Sequence, residues 1–163
     1  MKKTLRAFLT FCMVVLTSMN TGGLAMAEQN KQIIYKGAEQ TSMQGPAEYF
    51  TGSVRVQPLF PSNETAHYGG AYVTFAPAAR SNWHTHPAGQ HLVVVKGVCW
   101  AQTWDGVKSE ANVGDAVWCP SGIKHWHGAS PDGEMTHLAL TGMKDGQNVT
   151  WLEKVTDEQY YGK

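Results

Sequence analysis

Two pairs of histidines in this chain have the spacing of metal ligands on extended backbone. His84 and His86 stand two residues apart, as do His125 and His127, so on a strand both members of a pair face the same side. Neutral imidazoles that converge from two strands inside a barrel form a binding site for a divalent transition metal. The pattern therefore predicts one buried metal centre rather than four separate surface histidines.

A glutamine stands close to the first pair. Pro87-Ala88-Gly89 turns the chain after His86, and Gln90 opens the next apolar run. If the two runs pair as a hairpin, the Gln90 side chain returns to the face that carries the histidines. By the same alternation His91 points away from that face, and we interpret His91 and His67 as ordinary surface histidines.

The elements that must position these residues are short strands. Apolar and β-branched runs alternate with Gly and Pro turns, a pattern typical of an all-β sandwich or barrel. The predicted strands are 53–57, 70–75, 91–95, 98–103, 116–119, 135–140 and 149–155. Helix is expected only at 45–50, where Pro46 could open a turn, and at 156–161, where Thr156 or Asp157 could cap one. We predict an all-β fold in one domain.

The start of the chain has the features of an export signal. Lys2, Lys3 and Arg6 precede a short apolar run, and Ala25-Met26-Ala27 resembles a cleavage site. The run is shorter than the roughly 20 apolar residues that a membrane span requires. We expect 1–27 to be a cleaved secretory signal peptide and 28–163 to be the mature domain, which is periplasmic or secreted and has no membrane anchor.

The mature domain is expected to be mildly acidic, with a net charge of −3 after the three basic residues of the signal leave. This charge gives no basis for a nucleic-acid partner. Cys99 and Cys119 remain in the mature domain. Export would permit a disulfide between them, whereas their apolar neighbours are equally typical of buried thiols, so both interpretations stay open.

The spacing around both histidine pairs resembles the two sequence motifs of the cupin family. The matching positions are Ala78, His84, His86, Gln90 and Gly97 in the first motif and Gly114, Pro120, Gly122, His125 and Ala129 in the second. This chain departs from the motifs with Ala78 and Gln90 in the first and Ala129 in the second. The resemblance implies a single-domain, jelly-roll-like cupin β-barrel with short terminal helices. The metal ligands it implies are His84, His86, Gln90 and His125. His127 would neighbour the site, although alternation alone lets it compete with His125.

A closer resemblance covers most of the mature chain. The stretches that carry it are GPAEYFTGSVRVQPLF, WHTHPAGQ, GVCWAQ, VWCPSGIKHWHGA, MTHLAL and VTDEQY. They are similar to those of small bacterial cupins that include manganese-dependent hydroxynitrile lyases, where the position of Gln90 is also glutamine. Other relatives carry a carboxymuconolactone-decarboxylase label. The resemblance implies a divalent transition metal, with Mn²⁺ as the expected ion and Fe²⁺ or Zn²⁺ as the alternatives.

This ligand set suits Lewis-acid chemistry. Three imidazoles and a carboxamide oxygen are neutral, so the metal keeps its formal 2+ charge and can lower the pKa of a bound hydroxyl. The expected base is His137 or His127, because an ordinary imidazole pKa near 6.5 suits proton transfer around neutral pH. The first hypothesis is reversible cleavage of a cyanohydrin to an aldehyde and HCN. We expect Trp83, Phe75 and Trp126 to wall the substrate pocket.

Two other functions stay open on the sequence. The same ligands suit a metal-dependent dioxygenase, and a non-catalytic exported protein would bind metal or a small ligand without turnover. The enzymatic hypotheses require a small-molecule substrate as partner. Cupins commonly assemble through exposed sheet edges, and residues 53–59 could form such an edge, so a homodimer or homotetramer is expected.

Overall fold

The computed structural model describes residues 31–162, and the predicted signal peptide, 1–27, lies outside the described residues. No helix within 31–162 has the length and apolar character needed to cross a membrane. The strands are β1 (Met43–Gln44), β2 (Phe50–Thr51), β3 (Val54–Phe60), β4 (Tyr68–Phe75), β5 (Arg80–Ser81), β6 (His84–Thr85), β7 (Gln90–Lys96), β8 (Cys99–Thr103), β9 (Ser109–Ala111), β10 (Ala116–Cys119), β11 (His125–Ala129), β12 (Met135–Gly142) and β13 (Thr150–Trp151). A 3₁₀ turn spans Gly37–Glu39, and the helix α1 spans Asp157–Tyr161.

The strands form two antiparallel sheets. The first has the order β1-β3-β4-β12-β7-β10. The second has the order β13-β6-β11-β5-β2, and β8 pairs with β11 and with β9. This architecture confirms the all-β prediction.

Alternation of side chains explains how the first sheet builds an inner face. In β7, Gln90, Leu92 and Val94 are buried, while His91 and Val95 are exposed. Apolar residues on one face of an antiparallel strand pack against the core, and the intervening residues meet water. Because Gln90 belongs to the buried series, its polar side chain is carried into the barrel together with core residues, and His91 points outward as expected.

The central strand β12 carries a histidine into the core in the same way. Met135, His137 and Ala139 are buried in alternation, and His137 stands opposite Val73 of β4 and Val94 of β7. With strands on both sides, β12 has no free edge, so the main chain that carries His137 is fixed by hydrogen bonds in both directions.

Most predicted strands are confirmed to within a few residues, and 116–119 coincides with β10. The prediction at 149–155 is wrong in length, because only Thr150–Trp151 pairs with β6. The predicted helix at 45–50 is a turn in which the amide of Tyr49 donates to the carbonyl of Pro46. The edge-strand prediction for 53–59 is corrected in part, because β1 lies outside β3 and pairs with Arg55 and Val56 only.

The predicted C-terminal helix is confirmed as α1. Thr156 is its N-cap and forms a capping box with Gln159, which satisfies amide groups that an isolated helix end would leave unpaired. Tyr160 of α1 packs against Trp83, Trp126 and Val155 in a buried cluster. Its hydroxyl donates to the carbonyl of Ala129 at 2.6 Å, which ties the helix to the end of β11.

Tyr160→Phe should lower the free energy of unfolding by about 1–2 kcal/mol, because it removes one buried hydrogen bond and leaves a carbonyl unpaired. Guanidinium denaturation of the variant and the parent protein measures the difference. Tyr72→Phe is the matched control, since Tyr72 is 36 % exposed, and should change stability by less than about 0.5 kcal/mol. An equal loss in both variants would contradict a specific role of the Tyr160 hydroxyl.

Both cysteines of the predicted mature domain are free and buried in the structure. Cys99 packs in the main apolar cluster and Cys119 in a smaller one beside Leu92 and Ala139. Burial raises the pKa of each thiol to about 12. The structure therefore agrees with the interpretation of these residues as small core side chains.

Candidate metal centre

Two strands of the second sheet bring His84, His86 and His125 together. β6 and β11 pair so that His84 stands directly opposite His125, with ring centroids 4.3 Å apart. His86 follows β6 directly, and its ring centroid lies 5.0 Å from that of His84 and 5.3 Å from that of His125. All three side chains are at most 3 % exposed. The sequence-predicted histidines therefore form one buried cluster.

The same three rings are held by backbone carbonyl groups through Nδ1. The Nδ1 atoms of His84, His86 and His125 lie 2.9, 2.5 and 2.8 Å from the carbonyl oxygens of Asn82, Asn148 and Ile123, respectively. A carbonyl oxygen only accepts hydrogen bonds, so each Nδ1 carries the proton and each Nε2 keeps its lone pair. Bonds of this kind orient the imidazoles of metal sites.

Three buried polar atoms of this cluster have no hydrogen-bond partner among the described residues. They are Nε2 of His86, Nε2 of His125 and Oε1 of Gln90. An unsatisfied buried polar atom costs stability, and such atoms are rare in folded proteins. All three can donate a lone pair to a metal, so their chemistry fits a bound cation.

Gln90 reaches the cluster from the other sheet. It opens β7 and stands opposite Thr141 of β12, whose hydroxyl accepts a hydrogen bond from Nε2 at 2.8 Å. Burial lowers the pKa of His86, while its bond to the Asn148 carbonyl and its contact with the Gln90 side chain raise it. The carboxamide therefore lies beside an imidazole of the cluster.

A second pair of imidazoles lies next to this cluster. Nδ1 of His127 and Nε2 of His137 are 3.2 Å apart, a distance at which one ring N–H donates to the other ring. Both rings pack on Phe75, at centroid distances of 5.8 and 5.6 Å. Nitrogen atoms of His84, His125 and His127 lie within 4.8 Å of one another, a spacing that suits a buried three-histidine metal site.

Burial keeps all five imidazoles neutral near pH 7. It is the largest cause that lowers the pKa of each ring, with repulsion from neighbouring histidines as an additional cause at His84, His125 and His127. The pKa falls to about 4 for both His125 and His137. Neutral rings keep the lone pairs that metal binding and proton transfer both require.

These shifts predict that the metal-free protein loses stability in mild acid. The folded pKa of His125, about 4, lies below the unfolded value of about 6.5, so the unfolded chain binds more protons as the pH falls between these values. His125 alone should cost about 2 kcal/mol of unfolding free energy at pH 5 relative to pH 7.5. Guanidinium denaturation of the chelator-treated protein at both pH values checks this. His125→Gln should show a smaller loss, and an equal loss in both proteins would contradict the assignment.

His84, His86, His127, His137 and Gln90 face a cavity of about 200 Å³. Its apolar wall consists of Phe50, Val56, Ala71, Val73, Ala139, Val149 and Trp151, and its polar lining consists of His84, His86, Gln90, His127, His137, Thr141 and Asn148. Trp151 stacks on Tyr49 with ring centroids 4.8 Å apart and lies 5.0 Å from the His84 ring. No residue of this lining is acidic, so the site as described is both neutral and largely apolar.

The predicted pocket residues lie in other places. Phe75 is buried behind the His127–His137 pair, while Trp83 and Trp126 pack under α1 in the cluster with Tyr160. None of the three is among the residues that line the cavity. Sequence reasoning missed Phe50 and Trp151, which come from the two short strands β2 and β13.

Comparison with protein-family models matches residues 71–141 to the Cupin domain family. An (R)-mandelonitrile lyase of Granulicella tundricola is 52 % identical to this chain over 127 residues, which cover 78 % of this chain and 97 % of that enzyme. The similarity therefore includes almost the whole length of the lyase.

Solved structures of cupins also resemble this chain. A cupin-like protein of Thermotoga maritima superposes with a TM-score of 0.69 and is 32 % identical, and the alignment covers 81 % of this chain and 96 % of that protein. A cupin-2 domain of Rhodospirillum rubrum superposes with a TM-score of 0.60 at 18 % identity, covering 81 % of this chain and 86 % of that one. At this lower identity the likeness concerns the fold alone.

Proposed function

This chain belongs to the cupin family and is a homologue of an (R)-mandelonitrile lyase, and we propose that it cleaves cyanohydrins reversibly to an aldehyde and HCN. The observation that carries the proposal is the 52 % identity over 97 % of the lyase. The neutral, buried histidine site at the wall of an apolar cavity supports the same chemistry.

We propose that His84, His86, Gln90 and His125 hold the metal. Binding through Nε2 of the histidines and Oε1 of Gln90 would satisfy the three buried atoms that otherwise have no partner. His127 also belongs to the geometric three-histidine group, and its Nδ1 lies 3.2 Å from Nε2 of His137, so a proton can pass between the two rings. We therefore assign His127 to proton transfer. Mn²⁺ is the proposed ion, and Fe²⁺ and Zn²⁺ are the alternatives, because imidazole and carboxamide ligands suit all three.

When bound, the cation would act as a Lewis acid and lower the pKa of a substrate hydroxyl. Because its ligands are neutral, they would not reduce its charge. His127 and His137 would take up the hydroxyl proton and share it across the 3.2 Å contact between their rings. Nδ1 of His137 is buried and has no hydrogen-bond partner within the described part of the chain, so no neighbouring side chain fixes its protonation. Burial lowers the pKa of His137 to about 4, below the ordinary value near 6.5 on which the base prediction rested, so the neutral ring is a weak base and needs a substrate hydroxyl whose own pKa is lowered. The same low pKa makes its charged form a good acid, which would return the proton to the leaving cyanide as HCN.

The rest of the cavity would bind the aldehyde. Phe50, Val73 and Trp151 form apolar surface on the walls that face the histidines. Such walls exclude water, which strengthens the electrostatic interactions that act on the reacting hydroxyl. The small volume, about 200 Å³, favours a substrate with one small side group or one ring.

Cyanide release from mandelonitrile tests this proposal. The Mn²⁺-loaded protein should release cyanide well above the buffer rate, a chelator should reduce it to that rate, and added Mn²⁺ should restore it. Release equal to the buffer rate in the Mn²⁺, Fe²⁺ and Zn²⁺ forms would contradict the proposal. Oxygen uptake with a polyphenol and no cyanide release would favour a dioxygenase instead.

We further propose that the chain is exported after cleavage at Ala27 and that it forms a homodimer or homotetramer. The small residues at 25–27 support the first proposal. The second is supported by the outer face of the six-stranded sheet, where Tyr72, Val95 and Trp118 are 36, 43 and 51 % exposed. Intact mass of the exported protein and light scattering of the purified protein test them. An uncleaved mass or a monomer at all concentrations would contradict the respective proposal.

A further inference from the structure

The orientation of the Gln90 carboxamide determines whether it can bind a metal. Rotation of the amide by about 180° exchanges its oxygen and its nitrogen in nearly the same space. Only the oxygen offers a lone pair, because the NH₂ group of an amide is a donor. A residue that fixes this orientation therefore controls the fourth ligand of the proposed site.

Thr141 is placed to do this. It stands directly opposite Gln90 in the pairing of β12 with β7, and its side chain lines the same cavity. Its Oγ1 accepts a hydrogen bond from Nε2 of Gln90 at 2.8 Å, while Oε1 of Gln90 is buried and has no partner among residues 31–162. The nitrogen is thus held by the hydroxyl, and the oxygen is left for another group.

We infer that Thr141 is a positioning residue, which holds the carboxamide so that its oxygen faces the metal centre. This inference rests on the proposed role of Gln90 as a ligand. In the orientation that binds metal, Nε2 is a buried donor, and the Thr141 hydroxyl supplies its acceptor. Without this hydroxyl the donor would be unsatisfied in that orientation.

The chemistry of the neighbouring imidazoles strengthens the need for such a residue. Nε2 of His86 and Nε2 of His125 keep their lone pairs and have no partner. In the metal-free protein these acceptors attract the NH₂ group of a rotated Gln90, which would turn the amide away from its ligand orientation. A bound cation would occupy these acceptors and face the Gln90 oxygen, so that Nε2 needs an acceptor elsewhere. The Thr141 hydroxyl supplies it, as it does at 2.8 Å in the structure. Because this hydroxyl can also donate to the oxygen of a rotated amide, its effect is on the metal-bound orientation, and being uncharged it adds no negative charge to the site.

Metal affinity tests the inference without an activity assay. Titration of Mn²⁺ into the metal-free protein, with the free ion followed by electron paramagnetic resonance, gives the Kd of each variant. Loss of an outer partner of a metal ligand weakens binding by about 10- to 100-fold, which we expect for Thr141→Val and for Thr141→Ala. Thr141→Ser keeps the hydroxyl and should bind within a few-fold of the parent protein.

A matched control and a double variant separate positioning from a structural effect. Thr136→Val removes a hydroxyl of the same strand, one that bonds Thr74 at 3.0 Å outside the cavity, and should leave the Kd unchanged. Gln90→Ala should weaken binding, and adding Thr141→Val to it should weaken binding no further, because Thr141 acts through Gln90.

The outcomes distinguish failure of the Thr141 inference from failure of the proposed ligand set on which it rests. If Gln90→Ala weakens binding but Thr141→Val and Thr141→Ala do not, the inference is overturned and the proposed ligand set stands. An equal further weakening by Thr141→Val in the Gln90→Ala protein would also overturn it. If Gln90→Ala itself leaves the Kd unchanged, the proposed ligand set fails and the inference fails with it.

Discussion

His84→Ala is expected to abolish stoichiometric metal binding and to reduce cyanide release by about 10³-fold or more. His84 faces His125 across the β6–β11 pair, and its Nδ1 is fixed by the Asn82 carbonyl, so its Nε2 is presented to the cluster in one orientation. Alanine removes one of four proposed ligands. The charge stabilisation that a bound metal supplies is worth several kcal/mol, which corresponds to roughly a 10³-fold effect on rate.

Metal content by mass spectrometry and the rate of cyanide release are measured on the same samples. His67→Ala is the matched control, because His67 is exposed and does not line the histidine cavity. It should retain both metal and activity. A His84→Ala protein that keeps one tightly bound metal ion per chain would contradict the proposed ligand set.

His137→Gln should lower the rate of cyanide release without removing the metal. Removal of a general acid–base residue typically costs 10²- to 10⁴-fold in rate. We expect a loss of about that size in kcat for cyanide release, with metal content unchanged. His137 is not part of the group of His84, His125 and His127 whose nitrogen atoms lie within 4.8 Å of one another. Its Nε2 lies 3.2 Å from Nδ1 of His127.

The kinetic comparison also tests whether the two rings act as a unit. His127→Gln is expected to lower kcat by a similar factor, and the double variant should be little worse than either single variant. Metal analysis of all three proteins is the control, since loss of metal would explain a loss of rate without any role in proton transfer. Unchanged kcat in metal-loaded His137→Gln would contradict the assignment.

Strand alternation accounts for most of what could be predicted of the site from the sequence. The two pairs at 84/86 and 125/127 were expected to share faces, and all four histidines are buried around one cavity wall or directly beside it. The same alternation also indicates on which side of the sheet two of the tryptophans lie. Trp83 precedes His84, and Trp126 lies between His125 and His127, so alternation turns both rings to the opposite side of the sheet, where α1 covers them.

Other parts of the site carry no comparable signal. In β11 all five residues are buried, because one face lines the barrel and the other packs under α1. The run therefore lacks the alternation of buried and exposed residues by which a strand is recognised. Phe50 and Trp151 reach the cavity from strands of two residues each, whose positions are set by long-range pairing with β5 and β6. The backbone carbonyl groups that orient the imidazoles depend on the folded chain in the same way.

The structure also explains why a glutamine suits this position. The cavity lining contains four histidines, amides, a hydroxyl and apolar groups, and no acidic residue is found in it. A glutamate at position 90 would bring a negative charge to a site whose imidazoles are neutral, and it would reduce the effective charge of a bound cation. As a proposed ligand, the neutral carboxamide would keep the Lewis acidity that cleavage of a cyanohydrin requires.

A titration of Mn²⁺ into the metal-free protein, with cyanide release from mandelonitrile as the readout, tests the central claim most directly. The account predicts that activity rises linearly and reaches a plateau at one Mn²⁺ per chain. Activity that is already present without metal and does not rise, or no cyanide release at any Mn²⁺ concentration when one ion is bound per chain, would contradict a metal-dependent cyanohydrin lyase.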